Sequence, residues 1–513
     1  MASGDLFAND QSLAREQEAG PVVCLGMTFE NDDARRAYFT EELRKKLHDP
    51  EFRKTKGFPV GKDNDILNLS DPPYYTACPN PWVADFVAQW EAEKPIKPEG
   101  YHYHSEPFAA DVSEGKSHPI YNAHSYHTKV PHRAIMRYIL HYTQPGDIVF
   151  DGFCGTGMTG VAAQMCGDRE EIIALGYQVQ SDGTILQKEI DDNGSEAWLP
   201  FSKLGIRRAI LNDLSPAATF IAHNYNTPVD AIAFEQEAQR VLKEVEKQCG
   251  WMYETLHSDG KTKGRINYTV WSDVFICPEC SSEVVFWDAA VDTKTAKVAD
   301  EFNCHSCDSV LSKRRATRAF TSYYDEAISK VVSLAKQVPV LINYSVEKLT
   351  KRQEKKPDIY DLELIDSIKK EGKCWHPTQR MMEGQETRRN DPLGMTHVHH
   401  FYTVRNLTAL SKTFDLIKKT NIVFLFTGFV GGATKLNQFH LKNYVFGGGG
   451  VNPGARKGTL YAPSISMEVP VISLFKDRLR TQLRAMQRNF NHRALIATSS
   501  TNNEVFQNNL SDT

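Results

Sequence analysis

The sequence predicts an α/β fold organised on a doubly wound parallel sheet, and three observations predict it. Ile148-Val149-Phe150 has the character of a buried strand. It runs into Gly155-x-Gly157-x-x-Gly160, and small residues through Ala163 continue as a helix. Strand, glycine turn and helix in that order open a doubly wound unit. A second apolar strand, Arg208-Ala209-Ile210-Leu211, ends on Asn212-Asp213, and a helix follows from Pro216. Between the two, Tyr177 to Ser202 alternates polar and apolar residues around Asp-Gly and Asn-Gly turns, the pattern of a hairpin-rich insertion.

The remaining elements fall around this frame. Residues 1–60 read as a lead-in, with helical periodicity from Asp32 to Phe52. Ile66 to Ser70 reads as a short strand that Asp71-Pro72-Pro73 must end, because proline removes donors and fixes φ. A loop so placed belongs at the carboxyl end of a sheet. Trp82 to Glu93 and His127 to Tyr142 have helical spacing, the latter through Ile135, Met136, Ile139 and Leu140. The sheet-bearing domain is expected over 61–264, with a charged amphipathic helix at 230–250. Short β-like runs surround four paired cysteines at 265–315. Residues 316–498 form a mixed α+β region, and 499–513 a polar tail.

Bulk properties narrow the function classes. The 513 residues carry 60 Lys and Arg against 64 Asp and Glu, a net charge of -4, which argues against a histone-like binder but leaves room for a local basic cleft. No apolar run is long enough for a membrane span, and Met1 to Gly20 lacks a signal peptide's basic and apolar parts, so a cytoplasmic chain is expected. Ten cysteines, four of them in two C-x-x-C pairs, indicate one metal site and buried thiols (Cys24, Cys78, Cys154, Cys166, Cys249, Cys374) instead of a disulfide framework.

Asp71-Pro72-Pro73-Tyr74 holds the parts needed to activate an exocyclic amine on a base. Such an amine is a poor nucleophile because its lone pair is delocalised into the ring. Fixed acceptors for its hydrogens draw it towards tetrahedral geometry. Asp71 supplies a carboxylate, Pro72 a carbonyl whose direction Pro73 locks, and Tyr74 a flat face for an extruded base. The alternative is a proline-terminated strand with an aromatic cap. The glycine run lets a ligand approach the main chain, and by itself would equally suit nicotinamide or flavin. Asp213 is placed to bind ribose hydroxyls, or else to cap the helix ahead of Ser215-Pro216.

Taken together, D-P-P-Y and F-D-G-F-C-G-T-G-M-T resemble the amino-methyltransferases of DNA, which act on adenine N6 or cytosine N4. The resemblance implies a Rossmann-like fold. It also implies S-adenosylmethionine on Asp151, Phe153, Cys154, Gly155, Thr156 and Gly157, with Asp213 and Leu214 at its ribose. His127-Thr128-Lys129-Val130-Pro131 followed by Pro145-Gly146-Asp147 resembles the stretch that lines the methionine side of the cofactor pocket. Catalytic loop, then this stretch, then glycine loop is the beta-class order. It also argues against the protein-glutamine enzymes, whose N-P-P-Y follows the glycine loop. The resemblance implies a double-stranded DNA substrate, adenine N6 as the methylated atom and restriction or phage-defence subunits as partners. Cytosine N4, an RNA base, or a non-catalytic DNA-recognition subunit are the alternatives. Over its remainder, through Asp391 to Tyr402 and Gly458 to Tyr461, the chain is similar to large bacterial adenine-specific methylases, with a target-recognition role for 316–498. Two departures stand out. Gly152 and Cys154 replace more usual residues. No second D-P-P follows Asp71, where the larger relatives carry a further one, which leaves open whether the chain is a truncated or split form.

Cys277-x-x-Cys280 and Cys304-x-x-Cys307 have the spacing of a zinc ribbon: four thiolates around one structural ion. Lys313, Arg314, Arg315 and Arg318 just beyond would suit phosphate contact, as would Arg388, Arg389 and Arg405. Gly447 to Gly450 beside Asn452, Arg456 and Lys457 suggests a nucleic-acid loop. Phe475 to Arg493 suggests a helix with Arg478, Arg480, Arg484, Arg488 and Arg493 facing a DNA backbone. In each case a solvated surface is the alternative. His397 and His399 would share a strand face, but no neighbouring carboxylate completes a metal site, which favours polar packing near a cleft.

Overall fold

The computed structural model describes residues 20–499 apart from 56, 97, 98, 127, 191–193, 348, 372, 373, 419, 453, 457, 458 and 487–492. They form two compact units. The first lies within Met1–Asn122, Thr128–Ala231 and Met486–Thr513, the second within Ala123–His127 and Ile232–Ala485.

In the first unit four parallel strands are ordered Tyr75–Thr76, Leu495–Thr498, Arg208–Asp213, Ile148–Asp151. Ile210, Leu495 and Ala497 pack on one face against Phe39 of helix Asp32–Leu47 and Phe86, Val87 and Trp90 of helix Val83–Ala92. On the other side, helix Met158–Met165 comes so close to strand Arg208–Asp213 that a Cβ at Gly160 would lie 2.9 Å from Leu211 Cδ1. The expected insertion is a three-stranded antiparallel sheet of Gln178–Val179, Thr184–Ile190 and Glu196–Lys203. The final strand, 495–498, which the sequence reading placed in a C-terminal region, lies inside this sheet.

One expected element is wrong. Residues Asp63–Leu69 form a helix, not a strand. Asp63 and Asp65 favour a helix N-terminus, and one face buries Ile66 and Leu67. The helix ends at Ser70 because Asp71 precedes a proline and is pushed to extended backbone. The D-P-P-Y loop therefore does not follow a sheet strand.

The second unit is organised on a long strand, Lys263–Ile276. It pairs antiparallel with Gln337–Ser345, Ile465–Glu468, Glu283–Val285, Glu254–Leu256 and Thr317–Arg318. Tyr268, Val270, Leu341, Phe439 and Met467 form one core of this sheet. Phe275, Phe286, Phe302 and Leu311 form a second, which carries Cys277 and Cys304. The basic stretch after Phe475 belongs to helix Val471–Met486. Among the described residues no helix is long and apolar enough to cross a membrane.

Candidate functional site

The glycine loop leaves the carboxyl end of strand Ile148–Asp151. Asp151 Oδ1 accepts from Phe153 N at 3.1 Å and Oδ2 from the Thr159 hydroxyl at 2.5 Å, which fixes the turn. Gly157 has φ +71°, and a Cβ there would stand 2.7 Å from Ala222 Cβ and 2.8 Å from Asn226 Nδ2. Only glycine fits. Asp213 closes the neighbouring strand and ties the two loops: its Oδ2 accepts from Gly155 N and its Oδ1 from Ser215 N, both at 2.9 Å. The helix cap is Ser215, whose hydroxyl accepts from Ala218 N at 3.4 Å, so capping does not account for Asp213.

This loop offers unused capacity. Thr156 Oγ1 is buried and has no hydrogen-bond partner among the described residues. Phe153 and Leu214 are 73% and 52% exposed on either side, apolar side chains held out of the core beside a main-chain cradle. These features fit a ligand with both polar and flat apolar parts, as S-adenosylmethionine is. Of the third expected element, His127 lies outside the described residues. Thr128 has φ +68° and is exposed, and Lys129 Nζ lies 4.3 Å from the Tyr121 ring centre and 5.7 Å from that of Tyr225.

Asp71-Pro72-Pro73-Tyr74 forms the turn of a tight hairpin in which Asp71 and Tyr75 exchange main-chain hydrogen bonds. The Pro72-Pro73 bond is cis. Arg35 Nη1 donates to Asp71 Oδ1 at 3.0 Å and to the Pro72 carbonyl at 2.6 Å. Arg36 Nε donates to the same Oδ1 at 3.0 Å, and Arg493 Nη1 to Oδ2 at 3.0 Å. Asp32 joins Arg35 to Arg493 by accepting from both. The guanidinium carbons of Arg35 and Arg493 lie 5.2 and 5.0 Å from the Tyr74 ring centre. The Asp71 side chain is 4% exposed and that of Arg35 0%. Burial would raise the Asp71 carboxyl, but His223 and then the three guanidiniums overcome it and hold it at about 2. Burial, followed by the arginines, takes His223 down to about 4 despite the pull of Asp71.

Strand register fixes the relation of the two loops. Tyr75 is level with Ile496 and hence with Leu211, two residues short of Asp213. Leu211 is in turn level with Asp151, so the hairpin closes, three strands across, at the height where strand Ile148–Asp151 ends and the glycine loop begins. Three strand spacings and a two-residue rise separate the Asp71 and Asp213 backbones by on the order of 15 Å. Helix Pro216–Tyr225 serves both loops: Ala222 packs on Gly157, and His223 Nε2 is 3.9 Å from Asp71 Oδ2.

Sequence reasoning missed Asp32, Arg35, Arg36, His223 and Arg493 as part of this site. A signal for Arg35 existed, since Arg35, Phe39, Leu43 and Leu47 recur every four residues and form the buried row of their helix. Arg493 was expected at a DNA backbone; it is committed instead to Asp71 and Asp32.

In the second unit Cys277 and Cys307 Sγ are 3.6 Å apart, as are Cys280 and Cys304, and all four sulfurs lie within 4.8 Å of one another. This is too far for disulfides and close to the roughly 3.7 Å edge of a tetrahedron with 2.3 Å zinc–sulfur bonds. Each C-x-x-C is followed by a left-handed residue, Ser281 or Asp308, both with φ +61°. The two knuckles are thus alike. The Ser282 hydroxyl and the Ser306 N–H bring the Cys304 thiol down to about 5, whereas burial pushes Cys277 up to about 11, so the four-sulfur geometry carries the metal reading.

His399 and His400 correct the sequence reading: they lie in a 3-10 turn, Val398–Phe401, and Asp325 does reach them. Its Oδ2 faces His399 Nε2 at 2.7 Å and His400 Nε2 at 3.0 Å. Main-chain N–H groups of Thr396 and His397 point at His400 Nδ1, which leaves the ring proton on Nε2, facing the carboxylate. That is a hydrogen-bonded cluster, not a ligand set. Five of the arginines considered for phosphate contact have protein partners: Arg388 with Asp391, Arg389 with Glu386, Arg405 with Glu468, Arg318 with Asp273 and Arg480 with Asp477.

A glycine turn thus leaves one parallel strand, an acid closes the next, and Asp71 with the Pro72 carbonyl holds the Arg35 guanidinium. The comparison with known proteins is more specific. Residues 37–241 match the DNA methylase family of N6 and N4 enzymes, and this segment is a domain of that family. No curated protein and no solved structure gives a significant match to the chain.

Proposed function

We propose that the chain is an S-adenosylmethionine-dependent DNA methyltransferase acting on the exocyclic amine of adenine, N6, with the D-P-P-Y loop as the seat of the target amine. One observation carries the seat assignment. Arg35 Nη1, an amino nitrogen on a planar carbon, already occupies the loop and donates both to Asp71 and to the Pro72 carbonyl. The two acceptors thus converge on one such nitrogen, as polarising a base amine requires.

Asp71 and the Pro72 carbonyl would accept the amine hydrogens and localise the nitrogen lone pair. Tyr74 would stack the extruded base. Asp151, Phe153, Cys154, Gly155, Thr156 and Gly157 would hold the cofactor by main chain and by the unpaired Thr156 hydroxyl, with Asp213 and Leu214 at its ribose and His127, Thr128 and Lys129 on its methionine side. S-adenosylmethionine supplies an electrophilic methyl group when bound. The sheet is then a Rossmann-like cofactor fold, the Cys277, Cys280, Cys304 and Cys307 cluster a structural zinc ribbon, and the mixed region at 316–498 a target-recognition part on double-stranded DNA. A restriction or defence setting, with partner subunits, completes the proposal.

A second reading is favoured by the saturated Asp71 carboxylate: the hairpin is a structural anchor and the domain a non-catalytic DNA-recognition unit. A calorimetric titration separates the two. The enzyme reading expects stoichiometric binding of S-adenosylmethionine, weakened by Asp213→Ala. Absence of binding to the full chain sinks it.

A further inference from the structure

We propose that Arg35 is a built-in occupant of the target-base seat, so that the free chain rests in a closed state. The inference deepens the methyltransferase reading and rests on it. The guanidinium copies the part of adenine that the loop must recognise: a flat group bearing an NH2 on a trigonal carbon. Its Nη1 makes both hydrogen bonds assigned to the base amine, at 3.0 Å to Asp71 Oδ1 and 2.6 Å to the Pro72 carbonyl, and its plane lies by the Tyr74 ring. Both cannot be in the seat together.

Arg35 and Arg36 sit on a helix, Asp32–Leu47, that enters the family-matched stretch, and Arg493 comes from far beyond it. Asp71 to Tyr74 lie inside the stretch that matches the methylase family, residues 37–241, whereas Asp32, Arg35, Arg36 and Arg493 lie outside it. Asp32 latches the arrangement by pairing with Arg35 and Arg493 at once. Arg35, on helix Asp32–Leu47, therefore has to leave both acceptors before transfer. The chemistry that displaces Arg35 is an extrahelical base with an exocyclic amine. A seat that is free only a fraction of the time weakens apparent affinity by that fraction.

The test compares the full chain with Arg35→Met and Arg35→Ala, measuring transfer of labelled methyl to unmodified genomic DNA and binding of S-adenosylmethionine. Asp71 keeps Arg36 and Arg493 in both variants, and Asp32 keeps Arg493. With one charge-assisted pair removed, the apparent KM for DNA should fall about tenfold to a hundredfold, with cofactor affinity unchanged. Low-millimolar guanidinium chloride should then inhibit the Arg35→Ala variant by refilling the seat, and leave the parent chain unaffected. Lost activity that guanidinium restores would show Arg35 to be a positioning residue and overturn the proposal, as would an unchanged KM. Cofactor binding without methyl transfer by any of the three proteins would sink the methyltransferase reading itself.

Discussion

Gly157→Ala probes the cofactor loop at its tightest point. Two penalties can be read from the structure. The backbone at φ +71° lies in the left-handed region, which costs a side-chain-bearing residue about 1–2 kcal/mol. The new methyl would sit 2.7 Å from Ala222 Cβ and 3.0 Å from Ala222 Cα, well inside the ordinary contact distance. Relieving such overlap means moving helix Pro216–Tyr225, an overpacking cost of about 1–3 kcal/mol. The sum is roughly 2–5 kcal/mol, or about 5–15 °C in the melting of a unit of this size. Gly176→Ala is the matched control: φ is +87°, but nothing lies within 4 Å of its Cβ, so only the backbone penalty applies. Differential scanning calorimetry gives the melting shift, and titration with S-adenosylmethionine gives the binding change. Gly157→Ala should weaken cofactor binding at least tenfold and Gly176→Ala should not. Equal melting of the two variants with equal cofactor affinity would refute the close-packing argument and the placement of the cofactor on this loop.

Asp71→Asn should abolish methyl transfer while cofactor affinity holds, measured with labelled cofactor; full activity would remove Asp71 from the mechanism. Asp71→Ala should in addition destabilise the unit by about 3–5 kcal/mol, because three arginines lose their shared anion, and a urea melt reads that loss. His223 is held at about 4 against an ordinary 6.5, so the unfolded chain takes up its proton first as pH falls. Its contribution is complete above pH 6.5 and drains away towards pH 4, by roughly 3 kcal/mol. His223→Gln should flatten that limb of the stability profile, and an unchanged limb would contradict the burial of His223 beside the arginines. Removing zinc by chelation, or changing Cys280 and Cys307 to Ser, should release one metal equivalent and expose the knuckles to protease. Metal-free protein with an unaltered digestion pattern would defeat the structural-zinc assignment.

Where a segment's periodicity and its punctuation agreed, the sequence was readable. Ile148 to Asp151 with its glycine turn, Arg208 to Asp213, and the Asp-Gly and Asn-Gly insertion all appear as expected because local pattern and tertiary burial point the same way. Ile66 to Ser70 failed because a five-residue apolar run has no period of its own. Asp63 and Asp65, just upstream, decided for helix. The D-P-P-Y motif was legible as a motif, but the partners that surround Asp71 were not. Arg493 is 422 positions away along the chain, and no local rule brings it back to the hairpin. The same is true of Asp325, which reaches His399 from 74 residues upstream. Arg35 was within reach, for an arginine in the four-residue row of Phe39, Leu43 and Leu47 has to be buried and must therefore have an anion to meet.

The central claim is tested most directly by incubating the purified full chain with methyl-labelled S-adenosylmethionine and unmodified genomic DNA, then digesting the DNA to nucleosides. The account predicts label in N6-methyldeoxyadenosine, and none when Asp71 is Asn. Label confined to N4-methyldeoxycytidine would correct the base. DNA that stays unlabelled, with both the parent chain and Arg35→Met, would contradict the account.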